Sequence, residues 1–253
     1  MSGIPLQRSI VYGPIFSRRL GRSLGINLMP TDQKVCSFDC LYCQYGRTNT
    51  LIGLASRNIL PSIDEVLTAV KKALGKPRTI DFVTFSGNGE STLHPDFSQI
   101  VEGVKAIKDE LRKDVRLAIL SNSSRVMDKD VSAALQLFDA PMMKLDAGDE
   151  ETFQAINRPI PNVHLDDIIS GLQSIPNLMI QSMLIDGHVT NVRGESYEAW
   201  ALALSELHPL KVHIYSTERP TADDSVKNVS PNKLEWIAND LRKRFELEVT
   251  AFW

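Results

Sequence analysis

The cysteines are the residues of this chain whose type and spacing most directly indicate chemistry. There are three, Cys36, Cys40 and Cys43, and they form a C-x3-C-x2-C motif in a sequence of 253 residues. Three thiolates can hold three irons of a cubane iron–sulfur cluster, whereas a cluster held by the protein alone needs four. Because the chain has no fourth cysteine, the motif predicts a [4Fe-4S] cluster with one iron open to a small molecule.

Two other uses of the cysteines compete with this interpretation. Zinc could be held by three cysteines and a histidine, but tight zinc sites usually contain paired C-x2-C motifs, and the nearest histidine along the chain is His94. A disulfide would leave one cysteine over, and nothing in the sequence indicates an oxidising compartment. The cluster is favoured, and a zinc site remains the alternative.

The motif resembles the cluster loop of the radical S-adenosylmethionine (radical SAM) superfamily, in which an aromatic residue precedes the last cysteine, as Tyr42 does here. The resemblance implies that SAM chelates the open iron through its amino and carboxylate groups. It also implies a one-electron donor such as flavodoxin or ferredoxin. Reductive cleavage of SAM would then give methionine and a 5′-deoxyadenosyl radical that abstracts hydrogen from a substrate.

Composition and charge narrow the class of protein. Hydrophobic residues make up 43% of the chain and charged residues 23%, which is typical of a soluble globular protein. The sequence lacks an apolar signal core and a membrane-length apolar run, so we expect a cytoplasmic protein without membrane contact. Residues 1–58 contain seven basic and two acidic side chains, a net charge of +5 in a chain of net charge −3. This bias indicates either a solvated basic face or an anion-binding rim.

Strand-like and helix-like segments alternate along the chain, which is typical of a parallel α/β sheet. Strands are predicted over residues 23–29, 80–85, 115–120, 141–145, 177–185 and 212–215. Helices are predicted to begin after Ser62, with Glu65 completing a capping box, and to cover residues 95–111, 128–138, 150–156, 165–172, 195–207 and 231–245. Residues 247–253 form a strand-like tail.

Six β/α units can form either an open doubly wound sheet or part of a barrel. The family resemblance implies a partial (β/α)6 TIM-like barrel with a mainly parallel sheet, followed by the C-terminal helix and tail. We predict one radical SAM domain over residues 1–253, with a core over about 12–220 and a C-terminal extension over about 221–253.

In barrel enzymes the active site lies at the carboxyl ends of the strands. The turn after the second predicted strand is therefore the first candidate SAM site outside the cysteine loop. Gly87, Asn88, Gly89 and Glu90 occupy this turn. It is similar to the G-G-E motif of the family, with Asn88 replacing the second glycine. Glycines let a backbone approach a ligand closely, and the glutamate can accept hydrogen bonds from the amino group of SAM.

Later strand ends supply further candidates. Ser121 and Asn122 follow the third strand and suit a ribose or carboxylate, although helix capping is an equal alternative. Lys144 and Asp146 share a face at the end of the fourth strand. In related enzymes this region contributes to the SAM ribose or carboxylate, and a structural Lys–Asp pair is the alternative. The resemblance also places Tyr215, at the end of the sixth strand, beside the adenine.

A narrower resemblance concerns the substrate. The opening Y-G-P-I-F-S-R-R-L-G-R-S-L-G-I-N, the later K-L-D-A-G-D-E-E-T-F and N-R-P resemble small radical SAM iron–sulfur oxidoreductases grouped with wyosine-type tRNA-modifying enzymes. The similarity extends from about Tyr12 to Pro220. Wyosine synthases carry a second cluster, for which this chain has no cysteines. Arg18, Arg19 and Arg22 favour an anionic substrate such as RNA.

The sequence therefore predicts a radical SAM enzyme, of oxidoreductase or transferase type, whose substrate is RNA, a protein or peptide, or another anionic molecule. A glycyl-radical enzyme activase acting on a partner protein is the main alternative, since such activases are of similar length. A non-enzymatic iron–sulfur or zinc-binding module is the other alternative.

Overall fold

One eight-stranded sheet organises the protein, which a computed structural model describes for residues 3–219 and 221–253. Pro220, where the predicted core ends, lies outside the described residues. The strands are β1 (Val11–Ser17), β2 (Gly21–Ile26), β3 (Val35–Cys36), β4 (Thr50–Leu51), β5 (Phe82–Phe85), β6 (Arg116–Ser121), β7 (Ala140–Lys144), β8 (Met179–Met183), β9 (Ile185–Gly187), β10 (Lys211–Tyr215), β11 (Val226–Asn228) and β12 (Val249–Phe252).

Seven α-helices connect these strands among the described residues, together with short 3₁₀ turns over Arg57–Ile59 and Ser91–Leu93. The helices are α1 (Ile63–Leu74), α2 (Phe97–Leu111), α3 (Lys129–Leu135), α4 (Glu150–Asn157), α5 (Leu165–Leu172), α6 (Gly194–Leu207) and α7 (Pro231–Phe245). Their starts follow from the sequence. Ser62 and Glu65 form the predicted capping box at α1, and the Ser230 side chain caps α7 with Pro231 at its first position.

The sheet runs in the order β1-β2-β5-β6-β7-β8-β10-β12. The six predicted strands correspond to β2, β5, β6, β7, β8 and β10, and each is parallel to the next. The tail forms β12, which adds in parallel to β10. This arrangement confirms the predicted mainly parallel α/β partial barrel. None of the described helices has both the length and the hydrophobicity that a membrane span requires.

The strand β1 is an addition that the sequence analysis did not predict. It pairs antiparallel with β2, with a register shift between Tyr12 and Ile15. Two further small sheets, β3 with β4 and β9 with β11, were also not predicted.

The turn between β1 and β2 enters the barrel from the side of the strand amino ends. The Ser17 hydroxyl accepts hydrogen bonds from the backbone N–H groups of Arg19 (3.3 Å) and Leu20 (3.2 Å). Leu20 is buried against Phe82 and Ala140, the first residues of β5 and β7. The turn therefore closes the barrel at the end where the strands begin, and it fixes the backbone of Arg19.

Candidate active site

The cysteine loop follows β2 and is held on one side by the glycine–glutamate turn. The Val35 N–H donates to the Asn88 carbonyl (3.0 Å), and the Glu90 N–H donates to the Val35 carbonyl (3.1 Å). Gly89 makes this approach possible, because a Cβ at Gly89 would lie 1.6 Å from the Val35 carbonyl oxygen and its φ is +146°. The glycine predicted to allow close approach to a ligand therefore brings two backbone segments together next to Cys36.

The end of α4 holds the other side of the same loop. The Asp39 N–H donates to the Asn157 carbonyl (3.1 Å), and the Leu41 N–H donates to the Ile156 carbonyl (3.0 Å). A tight turn, in which the Cys43 N–H donates to the Cys40 carbonyl (3.1 Å), then returns the chain to the site. Backbone contacts with distant segments thus fix the loop on both sides.

The three cysteines meet in one cavity of about 380 Å³. All three are free thiols. Eight of the other ten predicted site residues line the same cavity: Tyr42, Gly87, Gly89, Glu90, Ser121, Asn122, Lys144 and Tyr215. Asn88 and Asp146 do not. The Asn88 side chain instead binds the Gln7 backbone and the Pro30 carbonyl, so it anchors the N-terminal segment.

Each of two cysteine sulfurs has an amide donor from elsewhere in the chain. The Asn122 side chain donates to Cys36 Sγ and the Asn157 side chain donates to Cys40 Sγ, both at 3.5 Å. Burial raises the pKa of the Cys36 thiol to about 12 and that of the Cys40 thiol to about 11. The Cys36 and Cys40 thiols therefore stay protonated at neutral pH, and binding of iron must displace their protons.

Lys34 places a positive charge beside the thiols. Its ammonium group donates to the Gly46 carbonyl (2.9 Å), and the residue is 3% exposed. Burial alone would lower the pKa of Lys34, but negative charge on the neighbouring cysteine sulfurs outweighs burial and raises it above its ordinary value. Three polar donors thus lie near the sulfurs, and they would offset part of the cost of burying thiolate charge once the protons are displaced.

Glu90 joins the turn after β5 to the end of β6. Its Oε1 accepts hydrogen bonds from the Thr92 N–H (3.0 Å), the Thr92 hydroxyl (2.8 Å) and the Ser121 hydroxyl (2.9 Å). Its Oε2 accepts one, from the Asn122 N–H at 2.6 Å. Burial raises the pKa of Glu90 above its ordinary value. Because Oε1 already has three donors, Oε2 is the oxygen with room for a ligand.

The Asp146 carboxylate has four hydrogen-bond donors next to the cysteine loop. Oδ2 accepts from the Tyr42 hydroxyl and from the Asn157 amide (2.8 Å), while Oδ1 accepts from the Met183 N–H (2.8 Å) and lies 3.5 Å from Lys144 Nζ. Burial would lower the pKa of Lys144, but the Asp146 carboxylate holds it above its usual range. The predicted pairing of Lys144 with Asp146 is therefore present, and Asp146 also fixes the residue before Cys43.

Two positively charged side chains contact Tyr215. The guanidinium carbon of Arg19 lies 4.5 Å from the centre of its ring, and Lys144 Nζ lies 5.5 Å from that centre and 3.2 Å from the Tyr215 hydroxyl. Stacking of adenine on this ring stays a prediction.

Several residues at the site were absent from the predicted set. Lys34 and Arg19 line the cavity, and Asn157 contacts Cys40. The sequence did contain signals for them, because Asn157 opens the N-R-P motif and Arg19 belongs to the basic segment. Neither signal indicates distance from the cysteines, which depends on the tertiary fold.

The donor set fits an iron–sulfur cubane. Within residues 3–219 and 221–253, no three His, Cys, Asp or Glu side chains lie close enough together to hold one metal ion. The thiolates of a cubane bind separate irons and do not need that closeness.

Comparison with known proteins identifies the family. Residues 32–207 match the family model of the Radical SAM superfamily, and the chain therefore belongs to that superfamily. This confirms the family predicted from the cysteine motif, and with it a [4Fe-4S] cluster and SAM as cofactors.

The chain is similar to proteins from several organisms. It is 35% identical to a UPF0026 protein of Methanocaldococcus jannaschii, over 92% of this chain and 70% of that protein. It is 33% identical to a UPF0026 protein of Synechocystis sp., over 83% of this chain and 76% of that one. A Brachyspira hyodysenteriae protein named GTPase Obg is 29% identical over 91% of this chain, which spans only 33% of that relative.

Solved structures share the fold. A radical SAM methyltransferase from Sphaerobacter thermophilus aligns with a TM-score of 0.67 at 16% identity, over 94% of this chain and 67% of that one. SuiB of Streptococcus suis bound to S-adenosylmethionine aligns with a TM-score of 0.64 at 13% identity, over 90% and 50%. TYW1 with a lysine-pyruvate adduct aligns with a TM-score of 0.53 at 15% identity, over 88% and 74%.

Proposed function

We propose that this chain is a radical SAM enzyme in which Cys36, Cys40 and Cys43 hold three irons of a [4Fe-4S] cluster. The observation that carries the proposal is the meeting of three free thiols and the Glu90 carboxylate in one cavity. When bound and reduced, such a cluster would supply one electron for cleavage of SAM into methionine and a 5′-deoxyadenosyl radical able to abstract hydrogen from a substrate. The electron donor, a flavodoxin or ferredoxin, stays a prediction.

The residues around the thiols prepare them for iron. The amides of Asn122 and Asn157 donate to Cys36 and Cys40, and the Lys34 ammonium offsets thiolate charge near Cys43. Such donors raise the reduction potential of a cluster, because they stabilise its more negative reduced state.

Residues at the strand ends are suited to bind SAM. Glu90 Oε2 can accept a hydrogen bond from the amino group of SAM, and Ser121 and Asn122 lie beside it on the cavity wall. Lys144 is protonated and held by Asp146, which suits it to bind an anionic or hydroxyl group.

Anaerobic reconstitution tests the proposal. We expect about four irons per chain, and production of methionine and 5′-deoxyadenosine when SAM and dithionite are added. Because the chain has three cysteines in all, a serine variant of any one should lose the iron or the SAM response. Gln44→Ala, which changes the neighbour of Cys43 but removes no thiol, is the control for iron content.

Two results would contradict the proposal. One is a stoichiometric zinc in anaerobically purified protein, which would assign the thiols to a structural metal. The other is a loaded cluster that leaves SAM intact under reducing conditions. If cleavage is observed, deuterium transfer into 5′-deoxyadenosine from labelled RNA, peptide and small-anion pools would identify the substrate class.

A further inference from the structure

The three arginines of the segment 18–22 differ in their partners. Arg18 pairs with Glu218 (2.6 Å), and Arg22 pairs with Asp81 through two hydrogen bonds of 3.0 and 2.8 Å. Arg19 is half-buried and lines the cavity of the cysteines. None of the ion pairs among the described residues includes Arg19. It is therefore a cation inside the site without a protein carboxylate to balance it.

The guanidinium of Arg19 is held in one orientation. Its Nη1 donates to Gln181 Oε1 (2.7 Å), and its central carbon lies over the Tyr215 ring. The Gln181 Nε2 donates to the Met142 carbonyl (3.0 Å), which fixes the amide so that its oxygen faces Arg19. A guanidinium has five N–H donors, so this contact leaves most of its donors for a ligand.

A chain of contacts separates Arg19 from the cysteines. Tyr42, next to Cys43, donates to Asp146, which pairs with Lys144. Lys144 in turn contacts Tyr215, over which Arg19 lies. Glu90 and Asn122, which are proposed to bind SAM, contact the cysteine loop directly, whereas Arg19 is connected to it through Tyr215 and Lys144.

We propose that Arg19 is the anion-binding residue of the substrate subsite, and that the substrate carries a carboxylate or phosphate group that Arg19 binds. The inference rests on the proposed function for its location relative to SAM. A charge in a half-buried cavity is costly unless it is balanced, and a planar guanidinium matches the two oxygens of a carboxylate or phosphate. The hairpin turn that carries Arg19 is anchored by Leu20, so the guanidinium is preorganised for this group.

The test uses the reconstituted 253-residue chain with saturating SAM and no reductant, so that no SAM is cleaved. Inorganic phosphate is titrated at constant ionic strength, and the midpoint of thermal unfolding reports binding. Arg19→Gln should raise the half-saturating phosphate concentration by about tenfold to a hundredfold, which corresponds to one charge-assisted contact. Arg22→Gln, whose guanidinium is exposed and paired with Asp81, should leave it unchanged. A parallel titration with acetate shows whether the subsite prefers carboxylate.

A second variant and a second ligand distinguish binding of a substrate anion by Arg19 from binding of the SAM carboxylate. Arg19→Lys keeps the charge but not the planar fork, and should bind phosphate between the wild-type protein and Arg19→Gln. Calorimetric titrations compare SAM with decarboxylated SAM. Loss of affinity for SAM but not for decarboxylated SAM in Arg19→Gln would assign Arg19 to the SAM carboxylate and overturn the proposal.

Other outcomes would also overturn it. Equal affinity for the bound anion in wild type, Arg19→Gln and Arg19→Lys would leave Arg19 as a bridge between the hairpin and β8, and so would a lack of binding of both phosphate and acetate in the wild-type protein. Both results leave SAM cleavage by the wild-type protein untouched. Failure of the proposed function would instead appear as absent iron or absent 5′-deoxyadenosine.

Discussion

Substitution of Glu90 by glutamine tests the structural and ligand-binding roles of the glycine–glutamate turn together. The carboxylate is 2% exposed and accepts four hydrogen bonds, three at Oε1 and one at Oε2. Glutamine has the same shape but only one oxygen. If this oxygen takes the position with three donors, the NH₂ group must face the N–H of Asn122.

The expected cost follows from these contacts. The Asn122 N–H would be left buried without an acceptor, which costs about 1–3 kcal/mol. The other three hydrogen bonds would lose their charge-assisted part, but the neutral amide also avoids the burial of a charge. We therefore expect Glu90→Gln to lower the free energy of unfolding of the metal-free protein by about 2 kcal/mol. Asn122 should also move, and with it the amide that donates to Cys36.

Urea unfolding under reducing conditions, followed by tryptophan fluorescence, measures this change, and SAM titration of the reconstituted variant measures the ligand role. Glu102→Gln, on the exposed face of α2, is the control and should not change stability. A stability of Glu90→Gln within about 0.5 kcal/mol of the wild-type value would refute the hydrogen-bond reasoning, because such a change is typical of an uninvolved surface site. A loss of stability with unchanged SAM affinity would instead make the turn purely structural.

Two further predictions concern the turn and the interior of the barrel. Gly89→Ala should prevent folding or iron loading, because its Cβ would overlap the Val35 carbonyl. Gly194→Ala is the control: at φ +65° and with no atom within 4 Å of the new Cβ, it should lower the free energy of unfolding in urea by only about 1–2 kcal/mol. Equal losses of stability in the two variants would contradict this prediction. Burial lowers the pKa of His213 to about 4, whereas its pKa in the unfolded chain is about 6.5. The uncharged imidazole should therefore contribute about 3 kcal/mol to the free energy of unfolding above pH 6.5, and this contribution should be lost as the pH falls towards 4. His213→Gln should flatten this part of the stability–pH curve, and an unchanged slope would refute the assignment.

The parallel part of the fold could be predicted because its signals are local. Most predicted strands of the barrel are short apolar segments between helices, and some of these helices have clear caps, such as Ser62 at α1 and Ser230 at α7. The strand β1 gave the opposite signal, since its sequence contains Gly13 and Pro14. Proline is tolerated on an edge strand, where its missing N–H faces away from the partner, but the edge position is known only once the sheet is formed.

Most residues of the candidate site could be predicted from the sequence, but the distances between them could not. The cysteine spacing, the order of strand ends and the family resemblance together identified eight of the cavity-lining residues beyond the cysteines. Asn88 was grouped with them because it lies between two glycines, yet its side chain binds Gln7 and Pro30. Arg19 was not selected from three similar arginines, because the distinction depends on Glu218 and Asp81, which are distant in sequence.

The alternatives for Lys144 and Asp146, a structural pair or a ligand site, do not exclude each other. Asp146 uses both oxygens on protein donors and holds Tyr42 within the cysteine loop, so its direct role is to position the loop. That same carboxylate keeps the Lys144 ammonium charged in a buried place, where an unpaired lysine would lose its proton. Lys144 can therefore offer a permanent positive charge to a ligand only because it is part of a structural pair.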